Sequence, residues 1–242
     1  MKAPSFPQLW SRIADRYPRL AEQLRERTLT PDEARSFYDH LGRKLDWHAF
    51  YENPALDELI EHLELSQASH VLEFGCGTGR LAEKMFSNLP ESARYWGLDI
   101  SRTMVELTRA RLEPFGERAE VHQSDGGPRL RVETGGFDRL VSTYVLDLLS
   151  DDDIAAFLEE AHRLLARGGL MGLVSLTHGY TTSAQLLEHL WVGLHRLNPA
   201  WVGGCRPLRL LDHLPAGGWK VRYHRVVTSY FVSSEILIAQ HA

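Results

Sequence analysis

The sequence predicts an α/β protein, built on a mostly parallel sheet with helices on both faces, an antiparallel last strand and a helical N-terminal cap. Three observations carry that prediction. From about residue 70, short β-rich runs alternate with helical ones. Those runs carry apolar residues on both faces, as strands covered from both sides require. Near the carboxyl end, two strand-like runs are separated by about two residues, the spacing of a hairpin.

Taken in order, residues 8 to 65 read as helices. The first is "PQLWSRIADRYPRLAEQLRER", interrupted at Pro18, and the second is "TPDEARSFYDHLGRKL". In the second, Thr30, Pro31 and Glu33 match a capping box with proline at the first helical position. "NPALDELIEHLEL" follows as a third helix. The expected organisation is therefore a cap over residues 1–65 and a main domain over residues 66–242. In that domain the candidate strands are "HVLEF", "ARYWGLD", "AEVHQSD", "FDRLVSTYV" and "LMGLVSLT", with helices expected over 79–88, 101–113 and 151–166. Ser101 and Ser150 stand at helix starts, and Asp151, Asp152 and Asp153 complement the positive end of the helix dipole. Ile154, Phe157, Leu158, Ala161, Leu164 and Leu165 form one apolar face, with Gly168 and Gly169 expected to stop the helix. A further helix over 182–197 and the strands "WKVRYHRVV" and "YFVSSEILIAQ" complete the chain.

Composition narrows the function classes. A chain of 242 residues, 43% hydrophobic and 24% charged, can bury a full core. The formal charge of −5 gives no reason to expect a nucleic-acid partner. No run approaches the roughly 18 apolar residues of a membrane span, and the start "MKAPSFPQLW" has no apolar leader segment, so a cytoplasmic protein without an integral membrane segment is expected. Cys76 and Cys205 are too few for a disulfide framework or an all-thiolate zinc site. No metal is expected, and the oligomeric state is left open.

"HVLEFGCGTGRLAEKM", residues 70 to 85, is the informative stretch. Strand, glycine turn and helix in that order let backbone approach a ligand and present free N–H groups at the helix start. The dinucleotide fingerprint G-x-G-x-x-G fits poorly, because Arg80 stands where its last glycine would be.

"VLEFGCGTGRLA" resembles the first motif of the class I S-adenosylmethionine (SAM) dependent methyltransferases. The resemblance continues in order through "YWGLDIS", "HQSDGG", "FDRLVSTYVLDLLSDDDI" and "AHRLLARGGLMGLVS", covering most of the chain from residue 70. It implies a Rossmann-like seven-stranded sheet and SAM as cofactor. It assigns Glu73 to contacting the methionine end or holding the loop, Asp99 to the ribose hydroxyls and Asp125 to the adenine amino group. The positions matched to cofactor contact are Glu73, Gly75, Cys76, Gly77, Gly79, Asp99, Ile100, Ser124, Asp125, Gly126 and Thr143, with Cys76 a small residue filling the turn.

The acceptor is less legible. His178 and Tyr144, following strands, are the candidates for catalysis, since a His at a strand mouth can take a proton near neutral pH. The alternative for His178 is a loop residue capping a turn. Tyr38, Tyr51, Asp147 and Arg206 are the candidate substrate contacts, with Arg206 either holding an anion or standing as a solvated charge. The N/D-P-P-Y motif of amino methylation and the dicysteine pattern of arsenite methylation are absent. A small-molecule acceptor is expected, its methylated atom (O, S, N or C) undecided. Two alternatives stay open. One is a quinone or phospholipid acceptor at a membrane surface, with Leu9, Trp10 and Ile13 beside Arg12 and Arg16 in the first helix. The other is a non-catalytic SAM-binding interaction subunit.

Overall fold

A computed structural model of the chain describes residues 28–127, 129–130, 134–179, 195, 199 and 203–242. The helix expected from residue 8 and, apart from His195, the one expected over 182–197 lie outside the described residues. Among the described residues no helix is long and apolar enough to cross a membrane.

Helix α1 (Pro31–Leu41) begins with the expected capping box. Thr30 N donates to Glu33 Oε2 at 2.9 Å and Glu33 N donates to Thr30 Oγ1 at 3.3 Å. The helix ends at Gly42, whose φ of 52° lies in the left-handed region. A 3₁₀ helix over Gly42–His48 leads into α2 (Ala49–His62), which starts before the expected "NPALDELIEHLEL" and carries Pro54 inside it. Proline removes one backbone hydrogen bond there. The burial of Ala55, Leu56, Leu59 and Leu63 against the sheet offsets that loss.

The seven strands are β1 (His70–Phe74), β2 (Arg94–Asp99), β3 (Ala119–Gln123), β4 (Phe137–Thr143), β5 (Leu165–Leu176), β6 (Trp219–Ser229) and β7 (Val232–His241). They lie in the order β3-β2-β1-β4-β5-β7-β6. Pairing from β3 across to β5 is parallel, and β7 runs antiparallel to both β5 and β6. Side chains alternate across the sheet with the two-residue period of a strand. Val71, Val141, Ile236 and Ile238 face the helices α2, α3 (Arg80–Phe86) and α4 (Arg102–Leu112). Leu72, Leu140, Leu237 and Ala239 face α5 (Asp151–Leu164) and the short α6 (Leu210–His213).

Other boundaries differ from expectation as well. Helix α5 stops at Leu164, before the glycines, because Leu165 is buried and pairs with Phe137 at the start of β5. Gly168, at φ 81°, lies within the strand instead. Tyr230 and Phe231, expected inside the last strand, form the two-residue turn between Ser229 and Val232. The strand order reverses beside β1, whose neighbours are β2 and β4. Open α/β sheets bind ligands in the crevice beyond the carboxyl ends of such strands.

Candidate active site

The β1–α3 loop is held open by three glycines with positive φ: Gly75 at 80°, Gly77 at 54° and Gly79 at 79°. Gly75 N and Cys76 N both donate to Leu98 O, at 2.8 and 2.9 Å, which ties the loop to the end of β2. Asp99, the next residue, accepts from Gly77 N through Oδ2 and from Ser101 N through Oδ1, each at 2.9 Å. Burial pushes the Asp99 carboxyl up to about 6 despite those backbone donors. Glu73, at the end of β1, is also buried and accepts from the Tyr95 hydroxyl at 2.6 Å. Desolvation, partly countered by Tyr95 and reinforced by Asp99, pushes it up to about 8.

Helix α1, the 3₁₀ helix and α2 stand over this loop and are bonded to it. Asp39 Oδ1 accepts from Ser101 Oγ at 2.5 Å and from Thr103 N at 3.1 Å, so a cap carboxylate holds the start of α4. Asp46 accepts from Thr78 Oγ1 and, at 2.7 Å, from Arg111. Arg80 pairs with the buried Glu52 of α2. Between cap and loop lies a cavity of about 460 Å³, within the range of small-molecule sites. Its walls from the cap are Phe37, Tyr38, Leu41, Leu45, His48 and Tyr51, and from the sheet end Gly75, Cys76, Gly77, Asp99, Ile100 and Thr143.

Most of the sequence-derived positions meet here. Glu73, Gly75, Cys76, Gly77, Asp99, Ile100, Ser124, Gly126 and Thr143 line the cavity, with Tyr38, Tyr51 and Tyr144. Ser124 N is anchored on Asp99 O at 2.8 Å. Burial pushes the Cys76 thiol well up, and it donates to Thr108 Oγ1 at 3.7 Å, a packing role. Tyr144 sits at φ 55°, strained for a non-glycine residue, and its hydroxyl shares a 2.9 Å hydrogen bond with Ser234.

Five positions lie elsewhere. Gly79 is not in the cavity wall: a Cβ there would come within 2.9 Å of Thr108 Cγ2 and 3.1 Å of its Cα, so its bareness lets α3 approach α4. The Asp125 carboxylate turns back to accept from Gly127 N at 3.0 Å. Arg206 donates to Leu149 O and to Asp151 Oδ1, both at 2.9 Å, and so closes the start of α5. Asp147 is fully buried behind the wall, and burial pushes its carboxyl up to about 7. His178 is exposed and outside the lining.

Among the charged lining residues that sequence reasoning left out of the site are Asp46, Glu52 and Arg80, which join His48, one of the cap side chains expected to reach it. His48 and Glu52, four residues apart around the start of α2, approach to 3.8 Å. Burial and the nearby Arg80 lower the His48 pKa and keep its imidazole neutral near pH 7. A buried Glu on a helix face otherwise apolar was the available signal.

The residues fit a nucleoside cofactor carrying a cationic group. A Cβ on Gly75 would stand 2.2 Å from Val145 Cγ2 and one on Gly77 3.3 Å from Leu45 Cδ2, so bare backbone is needed where loop meets cavity. Two acidic side chains, Asp99 and Glu73, flank that backbone, and Ile100 and Met104 supply apolar surface for a base.

A family profile described as "Methyltransferase domain" matches residues 71–169. The "Probable fatty acid methyltransferase" of Pseudomonas putida is 26% identical over 125 residues, covering 52% of this chain and 30% of that protein. The "Ubiquinone/menaquinone biosynthesis C-methyltransferase UbiE" of Geotalea uraniireducens is 25% identical over 162 residues, 64% of each chain. The chain thus spans less than two thirds of the length of these curated relatives, 30% and 64%. The crystal structure of the cyclase SpnF superposes with a TM-score of 0.69 at 15% identity, over 88% of this chain and 97% of that one. The last likeness concerns the fold alone.

Proposed function

From the premise that residues 71–169 form a domain of the class I SAM-dependent methyltransferase family, we propose that this chain transfers a methyl group from SAM to a largely apolar small molecule bound under the cap. The observation that carries this reading is the cavity itself. It joins the Gly75–Gly77 backbone, Asp99 and Glu73 on one side to Phe37, Leu41, Leu45 and Tyr51 on the other. SAM, when bound, supplies an electrophilic methyl on a sulfonium, and the protein supplies alignment and exclusion of water.

In this reading Asp99 accepts the ribose hydroxyls and stays ionised in their presence, while Glu73 faces the methionine end. The bonded pairs Asp46–Arg111 and Glu52–Arg80 hold the cap on α4 and α3, beside the loop. An acceptor with an acidic proton needs a base, and His48 is placed for it: it lines the cavity and is neutral near pH 7. The Tyr144 phenol, its pKa raised by burial, stays protonated and orients the acceptor as a hydrogen-bonding group.

Quinones and lipids form a second reading within the same class, favoured by the apolar wall and by the fatty-acid and quinone names of the relatives. The test is methyl-labelled SAM incubated with panels of fatty acids, quinols, phenols, thiols and amines. Label in an acceptor product supports transfer. Label in none, with SAM bound, favours a non-catalytic SAM-binding subunit.

A further inference from the structure

The 3₁₀ helix places Lys44 and Trp47 three residues apart, and side chains at that spacing eclipse one another on one face. Phe50, three residues further on, continues the line at the start of α2. Against Phe50 stands Tyr230, with ring centroids 5.1 Å apart, so the β6–β7 hairpin tip extends the same surface. Trp47 is 73% exposed, Tyr230 68%, Phe231 61% and Phe50 56%, the four most exposed large apolar side chains among the described residues. Isolated exposed aromatics need no explanation, whereas a contiguous group marks a contact surface.

The backbone at the tip is itself unusual. Tyr230 and Phe231 occupy both positions of a two-residue turn at φ 49° and 68°. Such turns favour Asn-Gly, because left-handed backbone crowds a Cβ. Two aromatic residues there store strain that a solvent-facing turn has no use for. Arg43 and Lys44 are exposed and form no ion pair or side-chain hydrogen bond among the described residues, so the rim of the patch is cationic. The nearby acids Asp46 and Glu52 are already engaged by Arg111 and Arg80.

The patch is continuous with the cavity. Phe50 meets Tyr51 edge to face at 5.2 Å, and Tyr51 meets Tyr144 at 6.4 Å, both of the latter being wall residues. A row of rings thus runs from solvent to the proposed acceptor site. We infer that Trp47, Phe50, Tyr230 and Phe231, rimmed by Arg43 and Lys44, dock the chain on an anionic lipid surface with the cavity mouth facing it. Aromatic rings with basic side chains beside them are the composition of interfacial anchors, the rings entering the headgroup boundary and the cations meeting anionic lipid. The inference rests on the apolar-acceptor reading and adds to it the route of entry.

The test is co-sedimentation of the full chain with vesicles of phosphatidylcholine alone and of phosphatidylcholine with phosphatidylglycerol. The chain is expected to pellet with the anionic vesicles and to be released by salt. Trp47→Ser with Phe231→Ser should reduce partitioning at least tenfold, and Arg43→Glu with Lys44→Glu should remove the preference for anionic lipid. Wild-type chain remaining in the supernatant with both vesicles overturns the inference. So does equal binding by the aromatic double variant, which would place the contact elsewhere, for example in residues 1–27. A dimer in velocity sedimentation that the double variant dissolves would overturn it in favour of a second copy of the chain. Calorimetry with SAM on the same samples separates the two readings: unchanged SAM affinity with no vesicle binding removes only the lipid surface, whereas loss of SAM binding in the wild type removes the reading it rests on.

Discussion

Replacing Asp99 by Asn removes one charge at constant shape. In the native chain its two oxygens accept Gly77 N–H and Ser101 N–H, each at 2.9 Å. An amide can satisfy one of these donors and turns an N–H₂ toward the other. A buried donor left unpaired costs about 1–3 kcal/mol, and a hydrogen bond to a neutral acceptor is weaker by about 1 kcal/mol than one to a charged group. In the free protein the loss at Gly77 is partly offset by relief of a carboxylate whose pKa burial has pushed up to about 6. The loop bonds are lost in the free and the bound chain alike and lower stability. The weakening of SAM binding comes from the two proposed ribose hydroxyl bonds, each weaker by about 1 kcal/mol to a neutral acceptor, together roughly 2 kcal/mol or about 30-fold. Titration calorimetry of wild type and Asp99→Asn with SAM, with circular dichroism to check the fold, reads this directly. An affinity within threefold of wild type in a folded variant would refute the assignment of Asp99 and the loop geometry built on it.

Gly79→Ala should destabilise by about 1–3 kcal/mol, since its Cβ meets Thr108 backbone. Thr108→Ser removes the Cγ2 that the new Cβ would meet and keeps the hydroxyl, so it should recover part of the loss in calorimetric melting; no recovery would argue against the contact. Above the ordinary imidazole range the lowered pKa values of His48, His162 and His213 no longer affect stability. The carboxyls of Glu73, at about 8, and Asp147, at about 7, still do. Each is protonated in the fold and ionised when unfolded, so stability is lost as pH rises through those values, by about 1–2 kcal/mol for Glu73 between pH 6.5 and 8. Melting of the cofactor-free chain across that window should show the decline, and Glu73→Gln should flatten it; a rise with pH would contradict the burial argument. His48→Gln should slow methylation of any acidic acceptor by at least tenfold with SAM affinity unchanged, and His178→Gln should leave the rate alone. The reverse pattern in steady-state kinetics would return the base to His178.

The sheet and the gathering of the glycine loop and its acids around one cavity were legible because their signals are local. Val71 and Leu72 announce a two-faced strand, Thr30 with Glu33 caps α1 through both expected bonds, and Gly75 and Gly77 sit beside an acid at a fixed distance in sequence. Gly79 shows the limit of such reading: it belongs to the same motif, yet its neighbour is Thr108, 29 residues on, and only the packing of α3 on α4 reveals a spacing role. The acceptor side was less legible for the same reason. Arg80, Glu52, Asp46 and Arg111 are scattered along the chain and acquire meaning only when the cap is laid over the loop. Asp147 was placed near the site by its position after the fourth strand and Arg206 by its charge, as a holder of an anion, but Arg206 turns toward Asp151 and Asp147 is buried behind the wall. The hairpin turn fell on Tyr230 and Phe231 although neither residue type signals a turn.

The central claim is that the cavity between the glycine loop and the cap is a SAM site. Crystals of the full chain grown with S-adenosylhomocysteine, the demethylated product, test it most directly. The account predicts the nucleoside within this cavity, its ribose hydroxyls within hydrogen-bonding distance of Asp99 and its amino-acid end against Gly75, Gly77 and Glu73. Ligand bound elsewhere, or a saturated chain whose cavity holds none, would contradict it.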